Sequence, residues 1–248
     1  MDLMTNERGN MLFIILIAVA LLGFLTAAIQ YSSNPEGATI DKEELRIRIT
    51  EVQRYVSELE RAVLYIQQNG YSEDDIRFAN PENTDYGDLS ADADPTNQVF
   101  HRDGGAALYR DAPDGINDGS AWEFYGGTHL PGVGSDKPDL IAVLPNVTAQ
   151  FCSRINEINN QSGTPQDTGA SAASGSNAGD CLNLGALGRF DDGQQYYDPP
   201  SFSENTVDES SFEQDPVSGE AYTVLQACVQ CVNFAGTPRH FYHVLLAR

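Results

Sequence analysis

The chain has 248 residues, and its 14 Lys and Arg against 36 Asp and Glu leave a formal charge of -22. A surface this acidic repels phosphate backbones and anionic lipid head groups, which excludes nucleic acid as a partner. Once the hydrophobic N-terminus is set aside, the length suits one domain with a real core, and the four cysteines, Cys152, Cys181, Cys228 and Cys231, all fall in its C-terminal part.

Residues 1–10 (MDLMTNERGN) form a short polar head, followed by the uninterrupted apolar run Met11 to Ile29. About nineteen residues rising roughly 1.5 Å each match a hydrocarbon core of about 30 Å, so the run is expected to span a membrane as a helix. A buried core helix would carry a polar stripe, and none is present. A cleavable secretory signal would need a basic head and a shorter apolar stretch, whereas Arg8 is offset by Asp2 and Glu7; the small residues Thr26, Ala27 and Ala28 keep that alternative open. The tail is short and a large cysteine-containing domain follows. The expected placement is therefore a single pass of the inner membrane, N-terminus in the cytoplasm, main domain periplasmic or extracellular.

Residues 30–41 read as a hinge, because Pro35 lacks an amide donor and Gly37 costs backbone entropy in a helix. Asp41 and Glu44 then form a capping-box-like start, and Leu45, Ile49, Val52, Val56, Leu59, Val63 and Ile66 recur at alternating spacings of four and three. This heptad seam predicts a helix from Lys42 to Asn69, with Gly70 as its C-terminal cap. The stripe can pack on the chain's own sheet or against another chain.

Beyond Tyr71 the composition turns to Asp, Asn, Gly and Pro with short β-like runs. Strands are expected at Gln98–His101, Ala106–Tyr109 across the Asp103-Gly104-Gly105 turn, Ala121–Tyr125, Leu140–Leu144, Tyr222–Val232 and His240–Leu246. A second amphipathic helix, Asn146 to Asn159, presents Val147, Phe151, Ile155 and Ile158, with Cys152 beside that face. Flexible loops are expected near 162–179 and 198–219. The fold class is α+β: a transmembrane helix, a long amphipathic helix, then over residues 42–248 a mainly antiparallel β domain with one further helix.

The pair Cys228-Val-Gln-Cys231 lies in a strand-like context, not at a helix N-terminus, and lacks a second close pair, so structural disulfides are expected instead of a redox or zinc site. Four cysteines allow three pairings. Alternation along a strand points Cys228 and Cys231 to opposite faces, which favours distant partners, one bridge stapling the second helix through Cys152. The acidic loop from Asp85 to Asn97 offers Asp85, Asp88, Asp92 and Asp94, oxygen ligands that a hard cation such as calcium would accept, although neither this loop nor Asp114–Gly119 has EF-hand spacing. His240 and His243 lie three apart on a strand, face opposite sides and read as packing or hydrogen-bonding residues. No HExxH, G-x-S-x-G, P-loop or dinucleotide fingerprint is present, so an enzyme is not expected and no cofactor beyond calcium is implied.

The stretch from Glu7 through Arg8, Gly9, Asn10, Met11, Leu12, Phe13 and Ile14 to Gly23 resembles the N-terminus of type IV pilins and type II secretion pseudopilins. The resemblance implies that a prepilin peptidase cuts after Gly9, leaving Asn10 first, and that the hydrophobic helix packs into a filament core. Asn10 stands where the family usually has a bulky apolar residue, and Ile14 where it usually has the Glu that pairs with a neighbour's N-terminal amine. The start and the strand Tyr242-His243-Val244-Leu245 are also similar to bacterial single-span membrane-anchored proteins, which implies no particular activity. The expected function is a pseudopilin-like or minor-pilin-like structural subunit of a secretion or pilus-type assembly, with membrane lipid and other pilin-like or membrane subunits as partners. The alternative is a monomeric membrane-tethered binding module.

Overall fold

The computed structural model describes residues 14–22, 42–92, 94–128, 130, 132–135, 137–167, 190, 212, 224–231 and 236–248. The chain divides into two compact units, Met1–Ile40 and Asp41–Arg248. In the first, residues 14–22 form helix α1, and every one of its side chains is exposed.

The second unit begins with α2, Lys42–Gln68. All seven seam residues from Leu45 to Ile66 are buried, and Tyr55 and Ala62 are buried beside them. That extra row widens the stripe beyond a two-helix seam into the broad apolar face of a helix lying on a core. The helix stops where Gly70 takes a φ of 98°, a left-handed conformation that glycine adopts without a Cβ clash, and donates its N–H to the Gln67 carbonyl at 2.9 Å.

Five strands follow: β1 Glu123–Thr128, β2 Asp139–Leu144, β3 Gln166–Asp167, β4 Gln226–Cys231 and β5 Arg239–Leu246, with helix α3, Ala149–Ile158, between β2 and β3. The sheet order is β1-β2-β5-β4-β3; the first four positions are antiparallel neighbours, and β3 adds a short parallel edge on β4. Expectations at Leu140–Leu144 and His240–Leu246 match β2 and β5 closely. The strand expected at Ala121–Tyr125 starts later, because Trp122 turns inward ahead of β1 to meet Tyr55 and Phe241 at ring centroid distances of 5.4 and 6.4 Å.

Both faces of the sheet are covered. Phe241, Cys228 and His243 look toward α2 and α3, while Tyr125, Ile141, Val143, Val229, Tyr242 and Val244 form a second apolar layer with Leu130, Phe212 and Val224. Two-sided burial explains why β2 reads as a continuous apolar run, since every one of its residues is buried.

Two expected strands are corrected. Gln98–His101 makes only an isolated bridge to Arg77 and then turns, and Ala106–Tyr109 forms no ladder. In the first, the Gln98 and His101 amides close turns on the Pro95 and Gln98 carbonyls at 3.1 and 3.4 Å; in the second, the Ala106 amide turns back to the His101 carbonyl at 2.9 Å and the Leu108 amide donates to the Glu58 carboxylate of α2 at 3.3 Å. Backbone donors spent on turns and on a helix's side chain are not available to a neighbouring strand. The stretch expected as a loop from 162 also begins in ordered chain, with β3 at Gln166–Asp167. The rest of it, and the loop near 198–219 apart from buried Phe212, lie outside the described residues.

Candidate functional site

The processing residues Gly9 and Asn10 lie outside the described residues, as do the hinge and the flanks of the expected span. Within that span the nine residues of α1 include Ile14, Leu16, Val19 and Leu21, 60, 59, 62 and 63 % exposed. Among the described residues no helix is long and apolar enough to cross a membrane.

The cysteine expectation is answered in part. Cys152 of α3 bonds Cys228 of β4 across a sequence separation of 76, with Cα atoms 5.1 Å apart. Cys231 is also disulfide-bonded, and Cys181 lies outside the described residues. Beside the Cys152 bridge sits a residue that the sequence did not single out. Asn156, fully buried one turn along α3, accepts the Cys228 N–H at 2.8 Å and donates to the Cys228 carbonyl at 3.0 Å, so its amide imitates a strand neighbour. A covalent bond and a pair of buried hydrogen bonds thus fasten α3 to the same residue of the sheet. Burial at helical spacing was the only available signal for it.

The acidic loop is built from turns. The Asp88 carboxylate accepts the Ser90 N–H and O–H at 2.9 and 2.7 Å. Asp94 accepts the Thr96 N–H and O–H at 3.4 and 2.5 Å. These hydrogen bonds hold both carboxyls below their ordinary range. Asp92 accepts from the Asp94 N–H at 3.1 Å and from the buried Gln98 amide at 2.7 Å, and the backbone of Asp85 donates to Asn83 at 2.9 Å. No three His, Cys, Asp or Glu side chains cluster as a metal set would among the described residues. At Asp114–Gly119 the turn closes over Ile116, which is fully buried, with Asp118 accepting from Ser120.

The two histidines do face opposite ways. His243 looks toward α2, where its Nε2 lies 3.5 Å from the Glu60 carboxylate, and burial lowers its pKa against the pull of that charge. His240 is buried on the other side and accepts the Asn146 N–H at Nδ1, 3.2 Å away; burial pushes its pKa down to about 4.

One concave site is formed where α2 meets the segment after Tyr109. Glu51, Val52 and Tyr55 of the helix, the Arg110–Pro113 stretch and Trp122 enclose a cleft of about 360 Å³. The Arg110 guanidinium stands 5.6 Å from the Tyr55 ring centroid and pairs with Glu58 at 2.8 Å. Tyr55 falls one place before the seam residue Val56, so heptad counting alone passed over it.

Fold and site together define an α+β protein in which a long amphipathic helix lies on an antiparallel sheet and a disulfide-stapled second helix packs on the same face. Compared with protein-family models, curated proteins and solved structures, the chain matches none.

Proposed function

We propose that the chain is a membrane-anchored, pseudopilin-like or minor-pilin-like structural subunit of a secretion or pilus-type assembly. The observation that carries this reading is a contrast between two helices. Every apolar seam residue of α2 is consumed inside its own unit, whereas the apolar side chains of α1 have no cover there. A contiguous apolar surface of that kind requires lipid or another helix against it. The hydrophobic segment is then both the store in the membrane and the surface of assembly. With Ile14 at the place of the pairing Glu, joining relies on apolar contact, which suits a subunit added once over one added repeatedly.

The monomeric tethered binding module is favoured by a different observation, the cleft of Tyr55, Arg110 and Trp122. Mass spectrometry of the N-terminus in the native membrane separates the readings. A chain starting at Asn10 supports the assembly subunit, an intact Met1 supports the simple tether, and a start near Ile29 overturns both by showing a secreted domain.

A further inference from the structure

We infer that the solvent-facing side of α2 is a docking face for a second copy of this chain, and that it receives the acidic segment beyond the end of that copy's α2. The inference rests on the assembly reading above and names the contact that assembly would use.

The face begins with charge. Arg54 and Arg61 lie two turns apart on the exposed side of α2, and Arg110 reaches the same groove from the neighbouring segment. The groove holds about 360 Å³ and has Glu58 as its single carboxylate. Glu58 is already paired with Arg110, and Arg54 makes no hydrogen bond or ion pair among the described residues, so the groove carries an unbalanced positive charge. That is an anomaly in a chain whose formal charge is -22. Next to the cations stand three exposed apolar side chains, Leu64, Tyr65 and Leu108, at 38, 50 and 66 % exposure. Arg and Tyr are among the residues that protein interfaces favour.

The complementary surface is on the same molecule. Between residues 74 and 94, Asp74, Asp75, Glu82, Asp85, Asp88 and Asp94 are exposed, and Arg77 is the only basic residue in that stretch. This segment is moored beyond the end of α2, where the Tyr71 hydroxyl donates to Asp94 at 3.5 Å. None of these carboxylates hydrogen-bonds or ion-pairs with Arg54 or Arg61 among the described residues of one copy. A second copy brings the one surface onto the other. Such a contact joins unlike patches, so it leaves one of each free at the two ends and admits further copies. It also offsets the mutual repulsion of two strongly acidic chains at the one place where they touch.

The test uses full-length chain in detergent micelles, half of it isotopically heavy. In the variant R54K/R61K the groove keeps its charge and gains amines, which a zero-length carbodiimide joins to any carboxylate in contact. The expected products are mixed-isotope peptides linking position 54 or 61 to the 74–94 segment, with a yield that falls about tenfold as salt is raised. The charge-reversed R54E/R61E, also at exposed positions, should lower intercopy crosslinking by carbodiimide through the native Lys42 and Lys137 or by an amine-independent photoreagent about tenfold, while circular dichroism stays unchanged. Links confined to single-isotope chains, links mapping to another surface, or an association insensitive to charge reversal overturn the inference. Each of those results leaves the N-terminal processing experiment untouched. A start near Ile29 together with mixed-isotope links would remove the assembly reading while leaving this contact in place.

Discussion

Helices α1 and α2 are built from the same kinds of apolar residue and meet opposite fates. In α1, Ile, Leu and Val side chains stand outward on all sides. In α2 the seven seam residues lie on one face and are buried, whereas Ile47 and Leu64 stand among the Arg, Glu and Gln of the exposed side. The difference lies in periodicity, not in composition. A helix apolar all round has no side to offer water and so needs lipid or other helices, whereas a striped one completes a core with one face and keeps the other for solvent.

The contrast is broken most sharply by placing a charge in each helix. Val56→Asp puts an unpaired carboxylate at a fully buried position and should cost more than about 4 kcal/mol, leaving no cooperative thermal transition by near-ultraviolet circular dichroism. Val19→Asp, in α1, should leave the melting temperature of the 41–248 unit unchanged while releasing the chain from membranes on fractionation. A folded Val56→Asp protein would refute the view that α2 is a core element.

The disulfide comes next in size. Cys152→Ser with Cys228→Ser should lower stability by about 2–4 kcal/mol, measured by chemical denaturation, and reduction of the parent, which also opens the Cys231 bridge, should cost more. Asn156→Ala is the smaller companion: it strips the partners from the buried N–H and C=O of Cys228 and should cost about 1–3 kcal/mol in the same assay. Both act on α3 and should leave the charged-residue contrast between α1 and α2 unaffected.

The smallest effects lie in pH dependence. His240 has a folded pKa of about 4 against an ordinary 6.5, so the unfolded chain binds its proton more readily. Stability due to neutral His240 is thus complete above 6.5 and is lost as pH falls toward 4. Asp139 has the opposite sign. Burial raises its pKa from 3.8 to about 6, although the Arg248 and Leu130 amides donate to it, so the unfolded chain releases its proton first and stability declines as pH rises from 3.8 to 6. Denaturant titrations at stepped pH should show His240→Gln flattening the first slope and Asp139→Asn the second. Parallel slopes in all three proteins would mean that neither group titrates on unfolding.

Much of this was legible in residue order. The α2 boundaries, its buried stripe, Gly70 as its end, β2, β5, Phe151 and Ile155 on the buried face of α3 and the link from Cys152 to the C-terminal strands all follow from local signals, whereas Ile158, expected on that face, is 44 % exposed, and α3 starts at Ala149, not Asn146, because Thr148 caps it. Periodicity, turn residues and alternation act within a few neighbours, and a one-dimensional string records them. The expected strands at Gln98–His101 and Ala106–Tyr109 fail for a complementary reason. Their side chains are β-like, but the Gln98, His101 and Ala106 amides close local turns and the Leu108 amide is taken by Glu58 of α2, some fifty residues earlier. The Asp85–Asp94 carboxylates were likewise legible as oxygen-rich, and their use in making turns with Ser90, Thr96 and Gln98 became visible only with their geometry.

By itself the sequence determined the two helical periodicities, an acidic surface and a cysteine set distributed to bridge distant segments, because each is a property of composition or of near neighbours. Tertiary structure alone decided the remainder. It decided that the α2 stripe is buried in the chain's own core and not against another chain, and it chose Cys228 as the partner of Cys152 and Asn156 as the bracket beside that bond. It also set the meeting of Tyr55, Arg110 and Trp122 from three separate stretches of chain. Those outcomes depend on which distant groups satisfy one another once the backbone has closed, and no spacing along the chain encodes that choice.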